Sequence, residues 1–237
     1  MDDSAPAIPL LDGLEDVVGV VRSGVGVLDA MDVLVRACVD RTGAAEAAIV
    51  ITDADGGLHA VASSNERTLD VEETQIGTQE GICVDCVRTG ELIEVPDIER
   101  VRERWPAFAA SAADAGFRSG VAVPLRIGDR TVGGLNLFHA SEGRQSLAAL
   151  ALVQALVQVA GLSLVPRPGE DERAALDRLL DQAVEGRAVV EQAKGFLAYD
   201  RDTSVQHAFG LMREHARAHR LGVVEVAGRV LGRELVV

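Results

Sequence analysis

Ser119 to Ile127 (SGVAVPLRI), Gly128-Asp129-Arg130, and Thr131 to His139 (TVGGLNLFH) form the stretch that decides the fold. Two β-rich runs flank three residues of turn chemistry, so the segment predicts an antiparallel hairpin. Towards the N-terminus, Ala48 to Thr52 and Leu58 to Ala62 predict a second hairpin around Asp53-Ala54-Asp55-Gly56-Gly57. Leu92 to Val95 is a short strand stopped by Pro96. Helical spacing of apolar residues covers Leu14 to Val21, Val27 to Arg41, Thr78 to Thr89, Arg104 to Ala115 and Ser141 to Leu164. The order helix, hairpin, helix, strand, helix, hairpin, helix predicts an α+β domain, an antiparallel sheet flanked by helices.

Pro166-Arg167-Pro168-Gly169 stops the last of these helices and marks a domain boundary. Beyond it, Leu176, Leu179/Leu180, Ala183/Val184, Val190 and Phe196/Leu197 form a helical stripe, interrupted at Gly186 and Arg187. Thr203 and Gln206 form a capping box for a helix over Ser204 to His219, and Val223 to Leu231 is a further short helix. The expected layout is a disordered 1–11, a sheet domain over 12–165, a linker at 166–172 and a three-helix module over 173–237.

Aromatic residues make up 3% of the 237 residues, so the core is expected to be built from Val, Leu, Ile and Ala. The net charge of −14 is unevenly spread. From Arg187 onward there are eight basic and six acidic residues, leaving that segment at +2 and the rest at −16. His207, His215 and His219 lie there too, as does Lys194, the only lysine of the chain. A locally basic module on an acidic protein points to an anionic partner, or equally to a solvated helical face. The apolar run Ser146 to Val165 contains Gln154, Gln158 and Ser163 and is a poor membrane span. The acidic start, which lacks the order of a signal peptide, and the odd count of three Cys predict a cytoplasmic protein without a disulfide framework.

Catalytic motifs are missing from the sequence: there is no Walker-type loop, H-E-x-x-H or G-x-S-x-G. Asp53 and Asp55 lack the twelve-residue loop and terminal Glu of a calcium site. Cys83 and Cys86 form C-x-x-C on a helix. They read either as a redox or ligand-sensing pair or as two small core residues, and zinc would need two further ligands. Cys38 sits on an apolar helical face and is expected in the core. His59 and His139 could ligate a metal or haem, or simply be satisfied locally.

Two resemblances emerge from particular blocks. Glu80-Gly81-Ile82-Cys83-Val84-Asp85-Cys86-Val87-Arg88-Thr89-Gly90 resembles the EGPCLDAxRTG helix of actinobacterial GAF domains. Val95-Pro96-Asp97, Trp105-Pro106-Ala107-Phe108, Ala115-Gly116-Phe117-Arg118-Ser119, Val123-Pro124-Leu125 and Gly133-Gly134-Leu135-Asn136-Leu137-Phe138 follow in the family's order. Ala193-Lys194-Gly195-Phe196-Leu197, Ala208-Phe209-Gly210-Leu211-Met212-Arg213 and Val226-Ala227 resemble the ANTAR domain, with Ala198, Arg220 and Val223 where Met, Asn and Leu are usual.

These resemblances imply a signal-responsive GAF–ANTAR regulator, not an enzyme, that promotes transcription antitermination by binding hairpins in leader RNA as a homodimer. An unidentified small molecule in the GAF pocket, or a redox signal, would set its state, and no metal or cofactor is implied. The helices at 12–41 and 145–190 would carry the signal. The candidate RNA-binding residues are Lys194, Arg213, Arg217, His219 and Arg220, since Arg and Lys neutralise phosphates and Arg stacks on unpaired bases. Ala193, Gly195, Ala208, Phe209 and Ala227 are expected to pack the module, with Gly195 allowing close helix approach. Two alternatives remain: a thiol-dependent reductase of free methionine sulfoxide using Cys83 or Cys86, and a regulator that binds protein through its basic helices.

Overall fold

The computed structural model describes residues 19, 26–53, 55–161, 171–219 and 221–235. The expected disordered N-terminus, the helix expected at 14–21, the Pro-rich boundary and Arg220 lie outside them. The elements run α1 (Val27–Thr42), β1 (Glu46–Thr52), β2 (Leu58–Ser63), α2 (Glu66–Thr78), α3 (Ile82–Thr89), β3 (Ile93–Val95), a 3-10 turn (Ile98–Val101) and α4 (Pro106–Asp114). They continue through β4 (Ser119–Ile127), β5 (Arg130–His139), α5 (Leu147–Gly161), α6 (Glu172–Asp200), α7 (Val205–His219) and α8 (Val223–Leu231).

The five strands form one antiparallel sheet in the order β2-β1-β5-β4-β3. Helices cover both of its faces, so the central strands β1 and β5 are buried along nearly their whole length instead of alternating. One face carries α1, α5 and the first half of α6, with Met31, Leu34, Ile49, Leu135, Leu156 and Leu180 in its core. The other carries α2, α3 and α4 around Ile82, Phe108, Phe117 and Phe138. The rings of Phe117 and Phe138 stack there with centroids 4.8 Å apart.

Two sequence expectations change in this second layer. Helix α2 was not foreseen, because its inward face holds Thr68, Glu72 and Gln75 beside Leu69 and Val71 and therefore shows no apolar stripe. The helix expected from Thr78 begins instead at Ile82. Gln79 (φ 56°) ends α2, and Gly81 (φ 124°) takes a conformation that side-chain-bearing residues rarely adopt.

Helix α6 spans 29 residues, and its N-cap Asp171 accepts a 2.8 Å bond from the Ala174 amide. Its first half packs Leu176, Leu180 and Ala183 into the sheet core. Its second half packs Val190, Ala193 and Leu197 against α7 and α8, with Phe209, Met212, Val226 and Val230. The stripe is not interrupted at Gly186. A Cβ there would stand 2.8 Å from Leu28 Cδ1 of α1 and 3.2 Å from Val224 Cγ2 of α8, so Gly186 is where the two units cross closely. Gly195, assigned that role from sequence, is exposed and would meet nothing within 4 Å. Among the described residues no helix is long and apolar enough to cross a membrane.

Candidate nucleic-acid interface and sensor core

The candidate RNA-binding residues divide into two groups. Arg217 and His219 are exposed on α7. The His219 Nδ1 lies 2.9 Å from the His215 carbonyl, and the two imidazoles stack 4.0 Å apart. Lys194 and Arg213 point the other way. Lys194, expected on an open face, is 1% exposed. Its Nζ donates to Glu66 Oε1 at 2.6 Å and to Glu191 Oε1 at 2.8 Å, and sits 5.1 Å above the Phe209 ring. An ammonium can be buried only when its charge is compensated, and here two carboxylates compensate it. One comes from the preceding turn of α6; the other is the first residue of α2, on the sheet domain.

Arg213 follows the same logic. Its guanidinium stacks 4.4 Å from the Phe209 ring, and Nη1 reaches Asp32 Oδ1 of α1 at 3.4 Å. Ala193, Ala208, Phe209 and Ala227 lie in the core of the three-helix module. Sequence reasoning missed Asp29, Asp32 and Glu66, the sheet-domain carboxylates that receive these groups. Asp29 Oδ1 accepts from the Val223 amide at 2.6 Å and so caps α8 from another domain, because the N-cap Gly222 has no side chain to do so. Burial raises the Asp29 carboxyl to about 6, against the opposing pull of that amide. The spacing Asp29-x-x-Asp32 at the start of α1 was the available signal, one helical turn of acid facing a basic module.

Glu72 lies in the second layer of the sheet domain and is fully buried. Gln75 Nε2 donates to its Oε2 at 2.9 Å and Asn136 Nδ2 to its Oε1 at 2.8 Å. Gln75 Oε1 in turn accepts from the Cys83 amide at 2.9 Å, tying α2 to α3. Among the described residues no cation pairs with Glu72, and burial raises its carboxyl to about 8. Cys83 and Cys86 are both fully buried, with sulfurs over Gly134 of β5. Burial pushes the Cys83 thiol well above its ordinary range and Cys86 to about 12. Neither is a thiolate at neutral pH in this arrangement, so neither is poised as a nucleophile. Thr68 Oγ1 and Asn136 Oδ1 are buried there without partners.

The other histidines and the tryptophan have local roles: His59 Nε2 lies 2.7 Å from Asp53 Oδ2 in the β1–β2 turn, and Trp105 packs edge-on against Phe108. No group of three or more His, Cys, Asp or Glu among the described residues is arranged to hold a metal ion. An open cleft of about 480 Å³ borders β3, but its Glu94 and Asp97 already hold Arg144 and Arg100.

Comparison with known proteins follows the same division of the chain. Residues 26–165 match the family model of the GAF domain, and residues 170–231 that of the ANTAR domain. Similar solved structures cover the first part. The GAF domain of an Acinetobacter phosphoenolpyruvate-protein phosphotransferase is 20% identical, over 65% of this chain and 92% of its own, with a TM-score of 0.50. The fRMsr of Staphylococcus aureus in its reduced form is 14% identical, over 70% of this chain and 100% of its own, with a TM-score of 0.53. At these identities the likeness is one of fold. No curated protein matches the chain.

Proposed function

Because the chain belongs to the GAF domain family over residues 26–165 and carries an ANTAR domain over 170–231, we propose that it is a signal-responsive regulator binding hairpins in leader RNA to promote transcription antitermination. ANTAR domains are RNA-binding antitermination regulators and GAF domains sense signals, so the general kind of protein follows from the two families. The finer reading rests chiefly on one observation: a single helix, α6, is core to both units, so a change in the sensor has a short mechanical path to the module.

The exposed Arg217 and His219, together with Lys194 and Arg213 once released, supply the cations for phosphate. A homodimer in the cytoplasm would offer two modules to two hairpins. A small molecule near Glu72 would be the signal; a redox signal at Cys83 and Cys86 would first require their burial to be relieved. The architecture is that of a regulator, and the buried, protonated thiols speak against thiol-dependent reduction of methionine sulfoxide. Titrating the full chain with a labelled two-hairpin RNA tests the proposal. Binding should weaken as salt rises, by roughly one counterion per neutralised phosphate. Absence of salt-sensitive binding at every protein concentration and oligomeric state overturns it.

A further inference from the structure

We infer that the seam between the GAF and ANTAR units is an autoinhibitory latch, in which Glu66 and Asp32 of the sensor occupy the cations that RNA phosphates would otherwise take. The inference rests on the RNA-binding function proposed above and names its regulation.

Among the described residues five polar links join the two units, and four of them cluster around Lys194, Arg213 and the start of α8. Glu66 holds Lys194 at 2.6 Å, Asp32 holds Arg213 at 3.4 Å, Asp29 caps the Val223 amide at 2.6 Å, and the Ser64 carbonyl accepts from Gln206 Nε2 at 3.3 Å. In these four the sensor group is the acceptor, three of them carboxylates, and the module group is the donor: two cations, a helix N-terminus and an amide. The link between Arg130 of β5 and Asp177 of α6, at 2.5 Å, runs the other way. Phosphate oxygens have the same chemistry as the three sensor carboxylates, so RNA and the sensor compete for one set of donors.

The seam is also closed sterically. The pocket along it, bordered by Leu28, Asp32, Val190, Phe209 and Val223, has a volume of about 10 Å³. That is room for about one water and none for a nucleotide. Lys194, 1% exposed, cannot touch RNA while the seam is shut; Arg213 keeps 17% of its side chain exposed, with its guanidinium committed to Asp32 and Phe209.

The path from signal to latch is short. Glu66, which grips Lys194, and Glu72, in the sensor core, lie on α2 six residues apart. That is about 9 Å along a helix. An occupant that rearranges Glu72, Gln75 or Asn136 moves the helix whose first residue is the latch. This route differs from the one expected through the helices at 12–41 and 145–190, which correspond to α1, α5 and the first half of α6. Glu66 keeps 36% of its side chain exposed, so the ion pair opens directly to solvent.

Lys194 supplies the readout, because it is the only lysine in the chain. An amine-acylating reagent can label only Lys194 and the N-terminal amine, and peptide mass spectrometry separates the two. The full-length variant Glu66→Gln/Asp32→Asn keeps Glu191 as partner for Lys194 and Arg36 as partner for residue 32. Its Lys194 should acylate at least about tenfold faster than in the wild type, with two-hairpin RNA bound at least about tenfold more tightly. Should the double variant fail to fold, Glu66→Gln alone carries the same prediction at about fivefold, the lower end of the allosteric range.

Unchanged acylation shows that there is no latch and overturns the inference. Faster acylation with RNA affinity equal to the wild type's shows a seam that opens without controlling RNA; the inference then fails while the proposed function stands. Faster acylation with no RNA binding in either protein overturns the proposed function, and autoinhibition with it.

Discussion

The sensor core and the seam both bury ionisable groups, and they solve the problem in opposite ways. Around Glu72 no cation is present among the described residues, and burial holds the acid in its neutral form against the opposing pull of the amide groups that donate to it. Around Lys194 the charge is kept and matched by two carboxylates. A neutral acid held among amides answers to polar ligands and to pH. A matched ion pair answers to competing charge, which is what RNA brings. The difference suits a sensor that reads chemistry and a seam that reads polyanion.

The largest expected effect separates the two solutions through pH. The Glu72 carboxyl rises from an ordinary 4.5 to about 8 in the folded chain. Its contribution to stability is therefore fully present below pH 4.5 and is lost as pH climbs through 8. The linked change is on the order of 5 kcal/mol. Asp29 acts in the same direction between 3.8 and about 6. Urea unfolding from pH 5 to 9 should show this decline, and Glu72→Gln, a mimic of the protonated acid, should flatten most of it. A variant whose pH slope matches that of the wild type would mean that Glu72 is ionised in the fold.

The next effect orphans the seam cation. Glu66→Ala/Glu191→Ala leaves a buried ammonium without a carboxylate and should cost about 3 kcal/mol or more. Adding Lys194→Met to that background should recover the part of the loss that Lys194 causes, since a flexible apolar chain fits the site beside Phe209; the rest belongs to the buried Arg187, which also pairs with Glu191. Denaturant midpoints for the three proteins check it. If the third change gives no recovery, the carboxylates matter for something other than Lys194.

The same contrast explains what was legible in the sequence. Strands β4 and β5 announce themselves, because Val, Leu and Ile on either side of Gly128-Asp129-Arg130 leave few alternatives, and the three-helix module shows its caps and stripe. Helix α2 did not, because it turns Thr68, Glu72 and Gln75 inward and so erases the apolar period used to find helices. Lys194 was recognised as special but given the wrong surroundings. Its partner Glu66 lies 128 residues away in the chain, and no local pattern links an exposed-looking charge to so distant an acid. Glycine roles failed for the same reason: a local motif drew attention to Gly195, whereas the crossing at Gly186 is made by residues from both ends of the chain.

That glycine pair gives the smallest effect and the most discriminating sign. Both residues lie inside α6, where Gly costs up to about 1 kcal/mol relative to Ala, so local propensity predicts the same gain from either replacement. Tertiary packing separates them. At Gly195 a methyl meets nothing within 4 Å, and Gly195→Ala should stabilise the chain by a few tenths to about 1 kcal/mol. At Gly186 the methyl would press on Leu28 of the sensor and Val224 of the module. Overpacking of this kind costs about 1–3 kcal/mol, so Gly186→Ala should be neutral to destabilising, and the strain falls on the seam. Acylation of Lys194 should accordingly quicken in Gly186→Ala and stay at the wild-type rate in Gly195→Ala. Equal melting shifts and equal acylation in the two variants would mean that the units do not cross at Gly186, and the close seam between sensor and module would have to be abandoned.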